Sequence, residues 1–218
     1  MNNAEAVVAL RKIQQELFAV ISALEPEKDE LEAATPFDKT KFFACYRERF
    51  GGIKQAQVAP LEFLLDQLIA QPPDGLREAA YMLATAKHET NDTYEPVREA
   101  YWLSEQWRQV NLRYWPYYGR GYVQLTWQHN YLEAGRNIGV NLVDEPDKAM
   151  EPAIAYKVML EGMREGWFTN RKLSDYINER ICDYEGARMI INGTDRAVLI
   201  AGYAERFELC LRQAGYVA

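Results

Sequence analysis

Glu89 closes a run of small residues, in the segment Ala86-Lys87-His88-Glu89-Thr90. A carboxyl where a tightly packed helix runs into a loop is expected to be half-buried. Desolvation raises the pKa of such a group, keeping it protonated and able to act as an acid. A glutamate at a helix end is more often a solvated surface group, so the segment needs support from elsewhere in the chain. Other chemistries are harder to build from these residues. The chain has only two histidines, and it carries no HExxH, no cysteine and histidine cluster, no P-loop and no GxSxG elbow. Gly119-Arg120-Gly121 runs on into Tyr122, Val123 and Gln124, so a dinucleotide fingerprint would lack its third glycine and its helix. Acid and base work by carboxylates remains, with no metal and no organic cofactor expected.

The elements that must hold Glu89 read as mainly helical. Leu10, Ile13, Leu17, Val20 and Leu24 step by three and four, which predicts a helix with one apolar stripe, and Pro26 with an acidic run ends it. Helices are then expected over Phe37 to Phe50, stopped by Gly51-Gly52, and over Pro60 to Gln71, stopped by Pro72-Pro73. The next, Leu76 to His88, carries Ala79, Ala80, Leu83, Ala84 and Ala86, small enough to sit deep among neighbours and to deliver His88 and Glu89 to a polar loop. Glu95 to Tyr118 is rich in aromatics and arginines without a period, and is expected to be irregular with a short helix at most. Between Gly121 and Trp127 the pattern alternates, which predicts a strand with Val123, Leu125 and Trp127 on one face and Tyr122, Gln124 and Thr126 on the other. Further helices are expected near Glu151 to Met163, Leu173 to Arg180 and Tyr184 to Ile191, with a left-handed exit at Asn192-Gly193. Asp195 is placed to cap the last helix, whose Ala197, Ile200, Ala204, Phe207 and Leu211 share a stripe.

Support for Glu89 comes from Tyr117-Tyr118-Gly119-Arg120-Gly121-Tyr122-Val123-Gln124-Leu125-Thr126-Trp127, followed by His129-Asn130-Tyr131, and from Ile190-Ile191-Asn192-Gly193. With the HET triplet His88-Glu89-Thr90, these segments make the chain resemble glycoside hydrolase family 19, the chitinases and phage or prophage endolysins. The likeness runs from about Phe37 to the C-terminus. It implies a lysozyme-like, two-lobed helical domain with a small β element beside a cleft, over residues 35–218, preceded by an N-terminal helix and linker over residues 1–34. It also implies that Glu89 is the general acid and Glu99 the base that activates a water in an inverting displacement, with Glu95 as the rival base. About ten residues of loop can span up to roughly 33 Å, which permits the ~6.5–9.5 Å carboxylate gap of inverting enzymes without predicting it. By the same resemblance Thr126 helps hold the water, and His88, Tyr118, Gln124, Asn130 and Asn192 line or brace the substrate. An ordinary exposed strand face competes for Gln124 and Thr126, and a helix-ending role for Asn192.

Departures from the resemblance concern the loop. Asp92-Thr93 stands where many relatives have a glycine pair, the stretch from Glu89 to Glu99 is short, and the disulfides of the plant members are absent. A shorter loop suggests fewer sugar subsites and favours bacterial wall glycan over chitin. The expected partner is thus a polysaccharide, peptidoglycan or chitin.

Composition bounds the alternatives. A hydrophobic fraction of 48% and a charged fraction of 26% are globular. A net charge of −7 argues against nucleic acid as a partner, and no apolar stretch reaches the ~20 residues that span a membrane. Cys45, Cys182 and Cys210 are an odd number at wide spacing, expected as reduced, buried thiols rather than a disulfide framework. The first thirty residues have no basic start, apolar run or small-residue cleavage site, so a cytoplasmic location as synthesised is expected; for an endolysin, release to the wall would go through a holin. A monomer is expected, with self-association of the N-terminal helix as the alternative. Two other function classes stand against the hydrolase: a catalytically inactive glycan-binding or phage structural relative, and a helical assembly factor.

Overall fold

The computed structural model describes residues 36–217. The expected helix over residues 10–24 and the acidic stretch after it lie outside them.

One helix organises the rest. In α3 (Leu76–Glu89), every residue from Glu78 to Lys87 is buried, as expected of a helix surrounded by others. Its alanines let α8 (Ala197–Gln213) approach closely, and these two pack together most extensively. α1 (Lys39–Phe50) lies against α8. Asp38 caps it by accepting from Lys41 N at 3.0 Å, and Asp38 N donates to Ala214 O at 2.8 Å beyond the end of α8. Phe42, Tyr46, Phe50 and Phe207 form the aromatic seam between them.

α2 spans Gln55–Ala70, five residues longer at its start than expected. Pro60 lies inside it instead of opening it. The residues before Pro60 contain no breaker, and Gln57 stabilises the first turn by accepting from Lys54 N at 2.7 Å. Missing its N–H, Pro60 costs α2 only one early rung.

The expected strand over Gly121 to Trp127 is not formed. β1 (Val97–Arg98) pairs antiparallel with β2 (Arg120–Gly121), Val97 opposite Gly121 and Arg98 opposite Arg120. After β2 the chain folds straight back. Arg120 and Leu125 exchange backbone hydrogen bonds (3.2 and 2.9 Å), and Gln124 takes a left-handed φ of 55°. The alternation is therefore a turn whose Tyr122, Val123 and Leu125 all point into the core, while Trp127 is exposed. Gly119 lets Gln124 come close: a Cβ on it would stand 2.5 Å from Gln124 Oε1, and the Gln124 side chain would have to move.

α4 (Glu105–Asn111) is the short helix allowed within the aromatic stretch, with Ser104 accepting from Trp107 N at 3.1 Å. α5 (Gln128–Ile138) was not foreseen, since only Tyr131, Ala134 and Gly135 are buried on it, too narrow a stripe to read. A 3₁₀ turn (Pro146–Met150) leads into α6 (Pro152–Glu165), which opens on Pro152 and closes at left-handed Gly166. α7 (Leu173–Tyr176) stops short of Arg180, since the chain turns into a bridge between Ile177 and Cys182. That surface bridge leaves Cys182 exposed, against expectation, while Cys45 and Cys210 are buried; all three are free thiols. In place of the helix expected over Tyr184 to Ile191 there is one 3₁₀ segment, Gly186–Ile190. Gly193 takes the expected left-handed exit at φ 54°. Arg196, not Asp195, holds the N-cap position of α8, with no side-chain cap.

Candidate active site

Glu89 is the last residue of α3, a step earlier than the loop position expected. It is half-buried, as expected, and it has a partner that the sequence did not suggest. The side chain is 16% exposed, and its Oε1 accepts from Arg188 Nη1 at 2.5 Å. The Arg188 guanidinium is 2% exposed and is oriented by a second bond, Nε to Asp195 O at 2.9 Å. Arg188 comes from the 3₁₀ segment before Asn192, and Asn192 N donates to Arg188 O at 3.1 Å. The expected role of Asn192 as a helix-ending residue and its nearness to the site are thus one arrangement, with its side chain exposed. Sequence reasoning missed Arg188. The available signal was a lone cation in the apolar run Ala187-Arg188-Met189-Ile190-Ile191, which burial makes expensive without a partner. His88 is half-buried beside Glu89, and burial pushes its imidazole below the usual histidine value.

Glu99 is held by the glycine segment. Its Oε1 accepts from the Tyr114 hydroxyl at 2.6 Å, its Oε2 from Gly119 N at 2.9 Å, and its backbone N donates to Gly119 O at 2.7 Å. Burial, then the nearby carboxylate, push the Tyr114 hydroxyl up to about 12, so it remains a donor at working pH. The following loop is pinned by Arg108, buried on α4, whose Nη1 donates to Ala100 O and Leu103 O at 2.9 Å each. Tyr114 and Arg108 belong to the aperiodic stretch, where sequence offered richness in aromatics and arginines and nothing finer. Glu95 is exposed and lines a separate cavity of about 420 Å³ with Pro60, Phe63, Tyr94 and Tyr122.

Thr126, Gln124 and Asn130 form a chain of bonds across the turn rather than a shared strand face. Thr126 Oγ1 donates to Gln124 O, and Asn130 Nδ2 to Thr126 O, both at 2.8 Å. Gln124 Nε2 donates to Val97 O at 3.1 Å and ties the turn to β1, two residues before Glu99. Tyr118, expected against substrate, is fully enclosed. Its hydroxyl donates to Glu105 Oε2 at 2.8 Å and accepts from Arg98 Nη1 at 3.0 Å, while the Arg120 guanidinium lies 3.7 Å over its ring. Asp147 closes this scaffold, taking Arg98 Nη1 at 2.5 Å and Arg120 Nε at 2.9 Å. Arg98 and Arg120 hold the Asp147 carboxyl below its ordinary value. Among the described residues no group of three or more His, Cys, Asp or Glu side chains is placed to hold a metal, and no helix is long and apolar enough to cross a membrane.

A family model described as chitinase class I, glycoside hydrolase family 19, matches residues 70–174. That segment belongs to glycoside hydrolase family 19. It takes in His88, Glu89, Glu99, Tyr118, Gln124, Thr126 and Asn130 and stops short of Arg188 and Asn192. Among curated relatives, Chitinase 5 of Oryza sativa subsp. japonica is 36% identical over 94 residues, 40% of this chain and 32% of that protein. Endochitinase 1 of Theobroma cacao is 52% identical over 42 residues, 19% of this chain and 13% of that protein. The chain thus spans about a third, or less, of the length of these relatives. The structure of chitinase C from Streptomyces griseus HUT6037 has the same fold, with a TM-score of 0.53 at 22% identity over 80% of this chain and 76% of that one. The mostly helical fold with a two-stranded sheet is that of this chitinase C structure.

Proposed function

We propose that the protein hydrolyses a β-1,4-linked amino-sugar polymer with inversion at the anomeric carbon, Glu89 serving as acid and Glu99 as base. The carrying observation is that each carboxylate has its own fixed partner: Arg188 on Glu89, and Tyr114 with Gly119 N on Glu99. Glu89 gives its proton to the glycosidic oxygen as the bond to C1 breaks. The charge left on Glu89 is received by Arg188, already in contact and dry, which is how preorganised electrostatics lower a barrier. Glu99 takes the proton of the attacking water. Each of its oxygens has a lone pair left after Tyr114 and Gly119 N are served, and the Thr126 oxygen can accept from the same water while its hydrogen stays on Gln124 O. Glu99 is preferred to Glu95 because two donors orient it on the segment that also carries Gln124 and Thr126.

Chitin and bacterial wall glycan share an N-acetylhexosamine backbone. Chitin is favoured by the relatives, which are chitinases by name, and wall glycan by the short loop between Glu89 and Glu99. Incubation with chitin oligomers and with purified peptidoglycan, followed by mass spectrometry of the new reducing ends and NMR of their anomeric form, tests the proposal. New ends of inverted configuration, lost in Glu89→Gln, are expected. Binding without cleavage by the unaltered protein would instead favour an inactive, glycan-holding relative.

A further inference from the structure

Two residues before Glu89, Lys87 is buried with no role in the acid and base chemistry. Its side chain is 9% exposed. Its Nζ lies 5.0–5.6 Å from the ring centres of Tyr46 and Phe50 on α1, Tyr94 in the loop after α3, and Tyr203 on α8. It donates to the Tyr46 hydroxyl at 3.2 Å and to the Asp92 carboxylate. The Tyr46 and Tyr94 hydroxyls meet at 2.7 Å. A cation enclosed by four aromatic faces is attracted to all of them, but an uncharged side chain would fill the same space without the cost of desolvating an ammonium.

What the charge holds is the loop. Asn91, Asp92 and Tyr94 have φ of 51°, 69° and 60°, left-handed values that asparagine and aspartate tolerate but that a tyrosine adopts only when surroundings enforce them. The enforcement is visible. Lys87 takes the Asp92 carboxylate, Gln57 Nε2 donates to Asp92 O at 2.5 Å, Asp92 N returns to Lys87 O at 2.8 Å, and Tyr94 N donates to Thr90 Oγ1 at 2.9 Å. From the same loop Asn91 Nδ2 reaches the Tyr101 hydroxyl at 3.4 Å, two residues beyond Glu99. Asp92 and its neighbours are thus the covalent and hydrogen-bonded link between the two carboxylates.

We infer that caged Lys87, through Asp92, is a positioning residue that fixes the loop joining Glu89 to Glu99 and so sets their spacing across the substrate. The inference rests on the proposed roles of those two glutamates. Lys87→Met keeps the stem and removes the charge, Lys87→Arg keeps a charge, and Asp92→Asn removes the partner at a half-exposed site where folding is safe. On an amino-sugar oligomer, Lys87→Met and Asp92→Asn should each lower kcat by roughly tenfold to a hundredfold, as a displacement of reacting groups by about 1 Å does. KM should change by less than about twofold, the double variant should be no worse than either single one, and Lys87→Arg should recover part of the loss. Hydrogen exchange at residues 91–98 should quicken in both variants while α1 and α8 stay protected. Full kcat in either folded variant overturns the inference. Should the unaltered protein cleave no glycan, the hydrolase proposal fails, and exchange alone decides the clamp: unchanged protection at residues 91–98 overturns it, and faster exchange there supports it. If Lys87→Met does not fold, Asp92→Asn carries the test.

Discussion

Arg188 and Glu89 meet at 2.5 Å across 99 residues of sequence, the guanidinium 2% exposed and the carboxylate 16%. The pair ties the 3₁₀ segment before Asn192 to the end of the central helix. It also places a buried guanidinium directly against the residue expected to give a proton.

Removing one member of such a pair strands the other. Arg188→Met should lower unfolding stability by about 1–3 kcal/mol, because Glu89 Oε1 and Asp195 O each lose a buried donor. Glu89→Gln leaves Arg188 an amide oxygen to bind and should cost less than Glu89→Ala. Urea denaturation of the three variants checks the order, and an Arg188→Met protein as stable as the unaltered one would show that the pair is not held in solution.

On Glu99 the two donors act on the base rather than on folding. Tyr114→Phe deletes the hydroxyl that orients Oε1 at 2.6 Å and leaves Gly119 N in place. A hydrogen bond to a charged group contributes about 1.5–3 kcal/mol, so kcat should fall roughly tenfold to a hundredfold. Steady-state kinetics with Glu99→Gln as the reference would show a larger loss there, and equal rates for Tyr114→Phe and the unaltered protein would remove Glu99 from the role of base.

These residues differ in how far the sequence reveals them. The small-residue run Ala79 to Ala86 and the stripe Ala197 to Leu211 announce α3 and α8, because helix burial leaves a period that survives any tertiary detail. The turn at Gly121 to Thr126 imitates that kind of signal. Tyr122, Val123 and Leu125 are buried by a reversal at Gln124, and alternation of residue types cannot distinguish a reversal from an extended strand. Pro60 misled in the opposite direction, as a helix-opening signal placed inside a helix that Gln57 had already begun. Glu89 and Glu99 stand out as candidates through short local motifs. Arg188 and Tyr114 do not, since their meaning lies only in what they touch, 99 and 15 residues away in the chain.

Acid should loosen the scaffold beneath β1 and β2. Arg98, first, and Arg120 hold the Asp147 carboxyl below the ordinary aspartate range. A depressed folded pKa contributes stability that is fully present above the unfolded value and is lost as pH falls through the folded one. Asp147→Asn should therefore lower the urea midpoint at pH 5 to 7, with the difference from the unaltered protein narrowing below about pH 4. A difference that stays constant from pH 7 to pH 2.5 would mean that the bridge to the two arginines contributes nothing in solution.

Two exposed aromatic residues just after Glu99 in the chain should have a use that stability does not require. Trp102 is 71% and Tyr101 54% exposed, their rings edge to face at 5.1 Å, and the Tyr101 hydroxyl accepts from Asn91 beside the loop that follows Glu89. An indole face left in water gives no folding stability, whereas the apolar face of a pyranose ring can cover it, and exposed apolar patches on soluble proteins mark such grooves. Trp102→Ala should leave the thermal midpoint within about 2 °C, as surface substitutions do. It should raise KM for long amino-sugar oligomers about tenfold with kcat at saturation unchanged, because binding lost equally in ground and transition states appears in KM alone. Tryptophan fluorescence should shift when oligomer is added to Glu89→Gln, and shift less when Trp102→Ala is added to it. An unchanged KM with an unchanged fluorescence response would place the sugar chain elsewhere on the surface.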